Sequence, residues 1–224
     1  MLKLYHYPIS YNSRRVWVAL LEKNLEFDLV SIDLNGEQLQ PEFLELNPFH
    51  HIPVLVDNGF RVLESLAILD YLEAKYPTPA LLPTDAETLA TVRMIEMVTV
   101  NELIPALSPL NQQWLGLGEN NSQKLEQAKQ QIATVLTFLE QLLGKQHYFG
   151  KEHLTLAEVV AGTVVSILPF LGVSLSEYPQ LNAWIERLNQ RPAWVRTQAS
   201  LKEIEAVKPD IAVRMAARMA AQSS

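Results

Sequence analysis

The chain has 224 residues, 48% of them hydrophobic and 19% charged, enough to bury a sizeable core in one large or two small domains. Lys and Arg number 18 against 25 Asp and Glu, a net charge of -7 with no basic run interleaved with aromatics, which argues against a nucleic-acid groove. Cysteine is absent, so disulfides, thiolate metal sites and cysteine nucleophiles are excluded, and any thiol chemistry has to use a thiol carried by a ligand.

The opening "MLKLYHYPISYNSRR" lacks the apolar stretch of an export signal, which makes a cytoplasmic location the expectation. "LKLYH" alternates like a half-buried strand, and Pro8 breaks it. From Ser13 the pattern turns helical, with Val16 above Leu20 and Trp17 above Leu21, and Asn24 ends it. "FDLVSID", 27–33, reads as a second strand, and the intervening helix makes the pair parallel in a βαβ unit. "PEFLELNP" is a short helix opened by Pro41, and "IPVLVDNGFRVL" is two strands around a tight turn at Asp57-Asn58-Gly59. Ser65 starts a helix whose Leu66, Ile68, Leu69 and Leu72 form its apolar face.

"YPTPALLPTDAE" has three prolines and no periodicity, as a linker does, and no strand signal follows it. The expected architecture is an α/β domain over 1–77, a linker over 78–87 and an all-α domain over 88–224. Val159–Ser176 runs for 18 residues without a charge, but Pro169 and the flanking Glu158 and Glu177 make it a buried helix rather than a membrane span. Thr155 and Glu158 form a capping box at its start, with Leu154 and Val159 as the hydrophobic staple, a structural role. "VRMAARMAAQSS" closes the chain as an alanine-rich helix.

Three short stretches can carry chemistry. In "PISYNSRRV", Pro8–Val16, Ser10, Asn12 and Ser13 are all competent helix caps, and the first-turn cations Arg14 and Arg15 oppose the helix dipole by about 0.3–1 kcal/mol each. Cations held against a local rule point to an anionic ligand, or to a carboxylate elsewhere in the fold. In "HIPVL", a cis Ile52-Pro53 bond would bend the chain and expose the backbone of Ile52 to an extended peptide, whereas a trans bond would be an ordinary strand start. In "LESLA", Glu64 can receive an ammonium while the helix amides after it receive a carboxylate, a pairing suited to an α-amino acid, with capping the alternative. His50 and His51 are neighbours that point apart in an extended segment, so no metal site is expected from them.

"ISYNSRRV", "NPFHHIPVL", "LESLAILDYL", the proline-rich linker and "LTLAEV" follow one another in the order and spacing of the cytosolic glutathione S-transferases, and the chain resembles that family over nearly its whole length. The resemblance implies a thioredoxin-like first domain with Pro53 as the cis-proline, and an enzyme that converts the thiol of glutathione to a thiolate and conjugates it to small, mostly apolar electrophiles in detoxification. Glutathione would be a co-substrate, with no metal, nucleic acid or membrane involved, and the protein a homodimer. Ser10 falls where the serine-type classes carry the activating hydroxyl. The bacterial chi class, which the chain also resembles, does not oblige that choice, and Tyr11 and Arg14 share the corner. Ile52 would pair with the cysteinyl unit, Glu64 and Ser65 would hold the γ-glutamyl end, and Gln38 and His51 the glycyl carboxylate.

The resemblance also places Ile9 and Tyr11 on an electrophile pocket completed by Ile104, Leu107, Asn111, Trp114 and Leu115, residues that serve equally well as interdomain packing. Glu96, Asn101 and Glu102 are candidate contacts across a dimer to the glutathione amine. The chain departs from the family where His50 and His51 replace Gly and Lys or Gln, and where Glu158 replaces Asp. Alternative functions on this scaffold are a glutathione-dependent isomerase or peroxidase, and a non-catalytic binding module.

Overall fold

Alternation in the first strand, β1 (Leu2–His6), turns Leu2, Leu4 and His6 into the interior, and the strand becomes the centre of a four-stranded sheet. The computed structural model describes residues 1–117 and 122–222. Strand β2 (Phe27–Ser31) lies parallel to β1, while β3 (Val54–Asp57) lies antiparallel to its other edge and pairs with β4 (Phe60–Leu63), in the order β2-β1-β3-β4. The β3–β4 turn has positive φ at both Asn58 and Gly59, the pairing that tight hairpins demand.

Helix α1 (Tyr11–Glu22) connects β1 to β2 and starts two residues earlier than the periodicity indicates. Ser10 is its N-cap, accepting from the amide of Ser13 at 3.3 Å, and Asn24, at φ 53°, ends it in the left-handed conformation. The earlier start moves Arg14 and Arg15 out of the first turn, so the conflict with the dipole inferred from sequence is smaller than expected. Helix α2 (Pro41–Leu46) opens on its proline, and α3 (Ser65–Lys75) packs on α1 with Ile68, Leu69 and Leu72 inward.

Between α3 and the next helix, α4 (Ala86–Val98), the connection is pinned from both sides. Buried Lys23 pairs with Glu73 at 2.5 Å and donates to the Pro79 carbonyl at 2.7 Å. The Leu81 amide donates to Glu73, and the Leu81 carbonyl accepts from the Leu156 amide at 2.8 Å. Asp85 caps α4 through the Thr88 amide, so the helix begins two residues inside the expected linker.

Among the described residues, the further α-helices are α5 (Ile104–Ala106), α6 (Ser108–Trp114), α7 (Ser122–Leu143), α8 (Thr163–Val165), α9 (Pro179–Asn189), α10 (Pro192–Thr197) and α11 (Leu201–Gln222). The first part of the uncharged segment is the centre of this half, whereas the single buried helix expected over 159–176 breaks after α8, and Pro169 opens a short 3-10 turn whose Phe170 is exposed. That first part runs from a π-helical turn at Glu158–Gly162 into α8, and Val159 to Val165 are buried. Gly162 lets it approach α9 and α10, because a Cβ there would stand 2.6 Å from Trp194 and 2.7 Å from Leu188. Glu158 is 0% exposed and accepts from the Thr155 amide and hydroxyl, the Phe149 amide and the Trp184 indole, so the capping box also ties down a neighbouring loop and α9. The alanine-rich end continues α11 to Gln222, and Ser223 and Ser224 lie outside the described residues.

One core runs through both halves, because α1 packs on α3 with one face and on α8 and α10 with another. Arg191 reinforces the join with two contacts to the Glu22 carboxylate, at 2.6 and 2.8 Å. Among the described residues, no helix is long and apolar enough to cross a membrane.

Candidate active site

Two cavities open on either side of the corner between β1 and α1. The larger, about 900 Å³, is bordered by Ser10, Gln38, His51, Ile52, Pro53, Glu64 and Ser65, seven residues singled out from the sequence. The smaller, about 550 Å³, is bordered by Ile9, Tyr11 and Arg14 together with residues of the helical half.

Ser10 stands at the N-terminus of α1, where backbone amides converge. Its oxygen accepts from the Ser13 amide, which leaves the hydroxyl hydrogen free to donate into the larger cavity. Ser13 is buried and accepts from the Tyr7 amide at 3.2 Å, bracing the turn from behind.

The Ile52-Pro53 bond is cis, and Ile52 lies beyond Val54–Leu63, the last pair of the β3–β4 ladder. Asn47 organises the loop before it, donating to the His51 carbonyl at 2.7 Å and accepting from the Phe49 amide at 3.0 Å. His50 has φ 58°, and that reversal brings both His50 and His51 to the same cavity, where an extended backbone would have separated them. Among the described residues, no group of three or more His, Cys, Asp or Glu is placed to hold a metal ion.

Glu64 has φ 64° and ψ 121°, a sparsely populated conformation for a residue with a side chain, and it sits at the start of α3 facing the cavity. Arg15 lies beneath Ser65, 1% exposed, with Nη1 donating to the Ser65 oxygen at 3.4 Å. A guanidinium can only donate, so this contact turns the Ser65 hydroxyl hydrogen away from Arg15. Nε and Nη2 of Arg15 have no partner, and burial lowers its pKa to about 10. This role of Arg15 was not legible in sequence, where it is one cation of an adjacent pair.

Arg14 turns the other way. It donates to Ser166 at 3.0 Å and to Thr197 at 3.4 Å and lies 5.4 Å over the Trp194 ring, so its charge is buried against the helical half, beside the smaller cavity only. Tyr11 borders that same cavity. Burial raises the pKa of its phenol, with Arg15 partly offsetting the rise, so the phenol remains protonated.

None of the helical-half residues expected on an electrophile pocket borders the smaller cavity. Leu107 is 0% exposed and Leu115 is buried, both in the core, because α5 and α6 turn their apolar stripe toward α7. Ile104, Asn111 and Trp114 are partly buried and border neither cavity, although Trp114 packs edge-on against Phe170, which does. Thr163, Ser166, Ile167, Phe170, Val195, Leu201 and Ile204 border the smaller cavity from that half. Glu96, one of the candidate cross-subunit contacts, is buried within the chain and accepts from Arg93, while Glu102 accepts from Gln131.

The glutathione S-transferase N-terminal domain profile matches residues 4–80, and the C-terminal domain profile matches 103–192. A maize protein named glutathione S-transferase 3 is 35% identical over 210 residues, covering 89% of this chain and 94% of the maize protein. A mouse maleylacetoacetate isomerase is 34% identical, covering 80% of this chain and 83% of its own. Among solved structures, a delta-class glutathione transferase from Nilaparvata lugens superposes with a TM-score of 0.78 at 28% identity, over 88% of this chain and 93% of that one.

Proposed function

The chain belongs to the glutathione S-transferase family, and we propose that its larger cavity binds glutathione extended from α3 to the β1–α1 corner, with the smaller cavity receiving the electrophile. The observation that carries this reading is that Ser10, Ile52 and the adjacent Glu64 and Ser65 border one cavity from three separate segments of the chain. Glu64 receives the γ-glutamyl ammonium, and Ser65 with the α3 amides receives its carboxylate. Ile52 pairs with the cysteinyl backbone, and Gln38 and His51 face the glycyl end.

Ser10 then donates to the sulfur. A free thiol ionises near about 8.5, and lowering that by two units requires roughly 2.7 kcal/mol of preference for the thiolate. A hydrogen bond to a charged acceptor contributes about 1.5–3 kcal/mol, and the helix N-terminus about 0.3–1. Together they suffice. The thiolate attacks an electrophilic carbon, forming a C–S bond, and the displaced electron pair leaves with the leaving group or moves along an activated double bond to be protonated.

A homodimer is part of this reading, supported by the exposed apolar side chains of Phe49, Met94 and Met97. Sedimentation at micromolar concentration tests it, and a monomer there refutes it. A glutathione-dependent isomerase is the second reading. The buried Arg14 cation beside the smaller cavity favours it, since that charge has only neutral partners and suits an anionic acceptor. Calorimetry with glutathione and conjugation assays over a panel of neutral and anionic electrophiles separate the readings. No binding at millimolar glutathione would sink both in favour of a non-catalytic module.

A further inference from the structure

The larger cavity has a wall that none of the roles above uses. Val213, Arg214 and Ala217 border it from α11, the last helix of the chain. Arg214 is half-buried there. Its Nη1 donates to the Asn35 side-chain oxygen at 2.6 Å, its Nη2 lies 3.5 Å from the Tyr7 hydroxyl, and the guanidinium lies 5.5 Å from the Tyr7 ring centre. One turn earlier, Asp210 accepts from the Asn35 side-chain nitrogen at 2.9 Å. Asn35 is thus held at both ends of its amide by α11, and it too borders the cavity.

Charge decides what this arrangement is for. Of the residues bordering the cavity, Glu64 and Arg214 are the two with a full charge at neutral pH, and they have opposite signs. Glutathione has one ammonium and two carboxylates. Glu64 matches the ammonium, and Ser65 with the start of α3 matches the neighbouring carboxylate. The glycyl carboxylate is left with the amide of Gln38, two histidines and Arg214. Both polar partners of Arg214 are neutral, and they engage two of its five N–H donors, so it retains donors and charge for an anion.

We propose that Arg214 binds the glycyl carboxylate of glutathione and thereby fastens α11 over the bound tripeptide. The inference rests on the glutathione reading of this cavity. It makes the terminal helix a determinant of co-substrate specificity, selecting a free C-terminal carboxylate over a capped one.

The test compares glutathione with its glycyl ethyl ester, by calorimetry and by KM, in wild type, Arg214→Gln and Arg214→Lys. Wild type should bind the acid about tenfold or more tightly than the ester, the size of a charged hydrogen bond. Arg214→Gln should shrink that preference to the part that Gln38 and His51 supply, by raising the KM and Kd of the acid alone and leaving those of the ester unchanged. Arg214→Lys should keep part of the preference, since it keeps the charge but loses the planar fork. Equal weakening of acid and ester would make Arg214 a prop for α11 and overturn the proposal, as would a Gln variant indistinguishable from wild type. Wild type that binds neither compound would instead refute the glutathione reading itself, before any variant is compared.

Discussion

Replacing Ser10 separates its two roles at the β1–α1 corner. As the N-cap of α1 it accepts from the Ser13 amide at 3.3 Å, and losing that contact to alanine costs about 0.5–2 kcal/mol of stability. As the proposed donor to sulfur it contributes about 1.5–3 kcal/mol to the thiolate, which corresponds to a rise of roughly one to two units in the pKa of bound glutathione when the hydroxyl is removed. Glycine serves as an N-cap with a loss of only a few tenths of a kcal/mol. Ser10→Gly should therefore match Ser10→Ala in lost activity while nearly matching wild type in stability. The assay is kcat/KM against pH with an electrophile whose chemistry is rate-limiting, alongside the ultraviolet absorbance of the bound thiolate. Well below the thiol's ordinary pKa, both variants should lose about 10- to 100-fold, and the loss should shrink at alkaline pH as the thiol ionises unaided. An unshifted profile in both variants refutes the role of Ser10. The shift should then appear in Tyr11→Phe, since the Tyr11 phenol is kept protonated by burial and stands on the other side of the same corner.

Arg15→Met should weaken glutathione binding about five- to tenfold while leaving unfolding stability unchanged or higher, because two buried donors of Arg15 are unpartnered and the methionine needs none; a large loss of stability with unchanged binding would contradict the orienting role at Ser65. Glu158→Ala should lower unfolding free energy by about 3 kcal/mol or more in denaturant titrations, since it strands donors from Thr155, Phe149 and Trp184, and Glu158→Gln should lose less because one acceptor oxygen remains. Acid should destabilise the fold through His6, whose pKa burial lowers to about 4. The unfolded histidine takes up its proton near about 6.5 and the folded one only near 4, so this stability is complete above 6.5 and is lost as pH falls toward 4. The total loss across that window should amount to roughly 2 kcal/mol after allowance for residual solvation, and stability curves of His6→Phe should lack it.

Much of the fold was legible because its signals are local. Asn58-Gly59 requires a tight turn, Pro41 opens a helix, and Thr155 and Glu158 stand three apart, whatever surrounds them. The residues of the larger cavity were legible for a related reason, since the cis-proline loop and the strained Glu64-Ser65 turn are short-range features with recognisable sequences. The wall of the smaller cavity was not. Whether α5 and α6 present Leu107 and Asn111 to a cavity or to α7 depends on how each helix is rotated about its axis, and an apolar stripe serves either purpose.

The sequence by itself determined the order of the first-half elements and the chemistry available, because composition, periodicity and turn residues act over a few positions. Only the tertiary structure decided that the adjacent cations part company, Arg14 to Trp194 and Arg15 to Ser65, since one residue along a helix is a rotation of about 100°. It also decided that Arg214, some 200 residues after Ser10 in the chain, borders the same cavity, a contact between segments that no local pattern encodes.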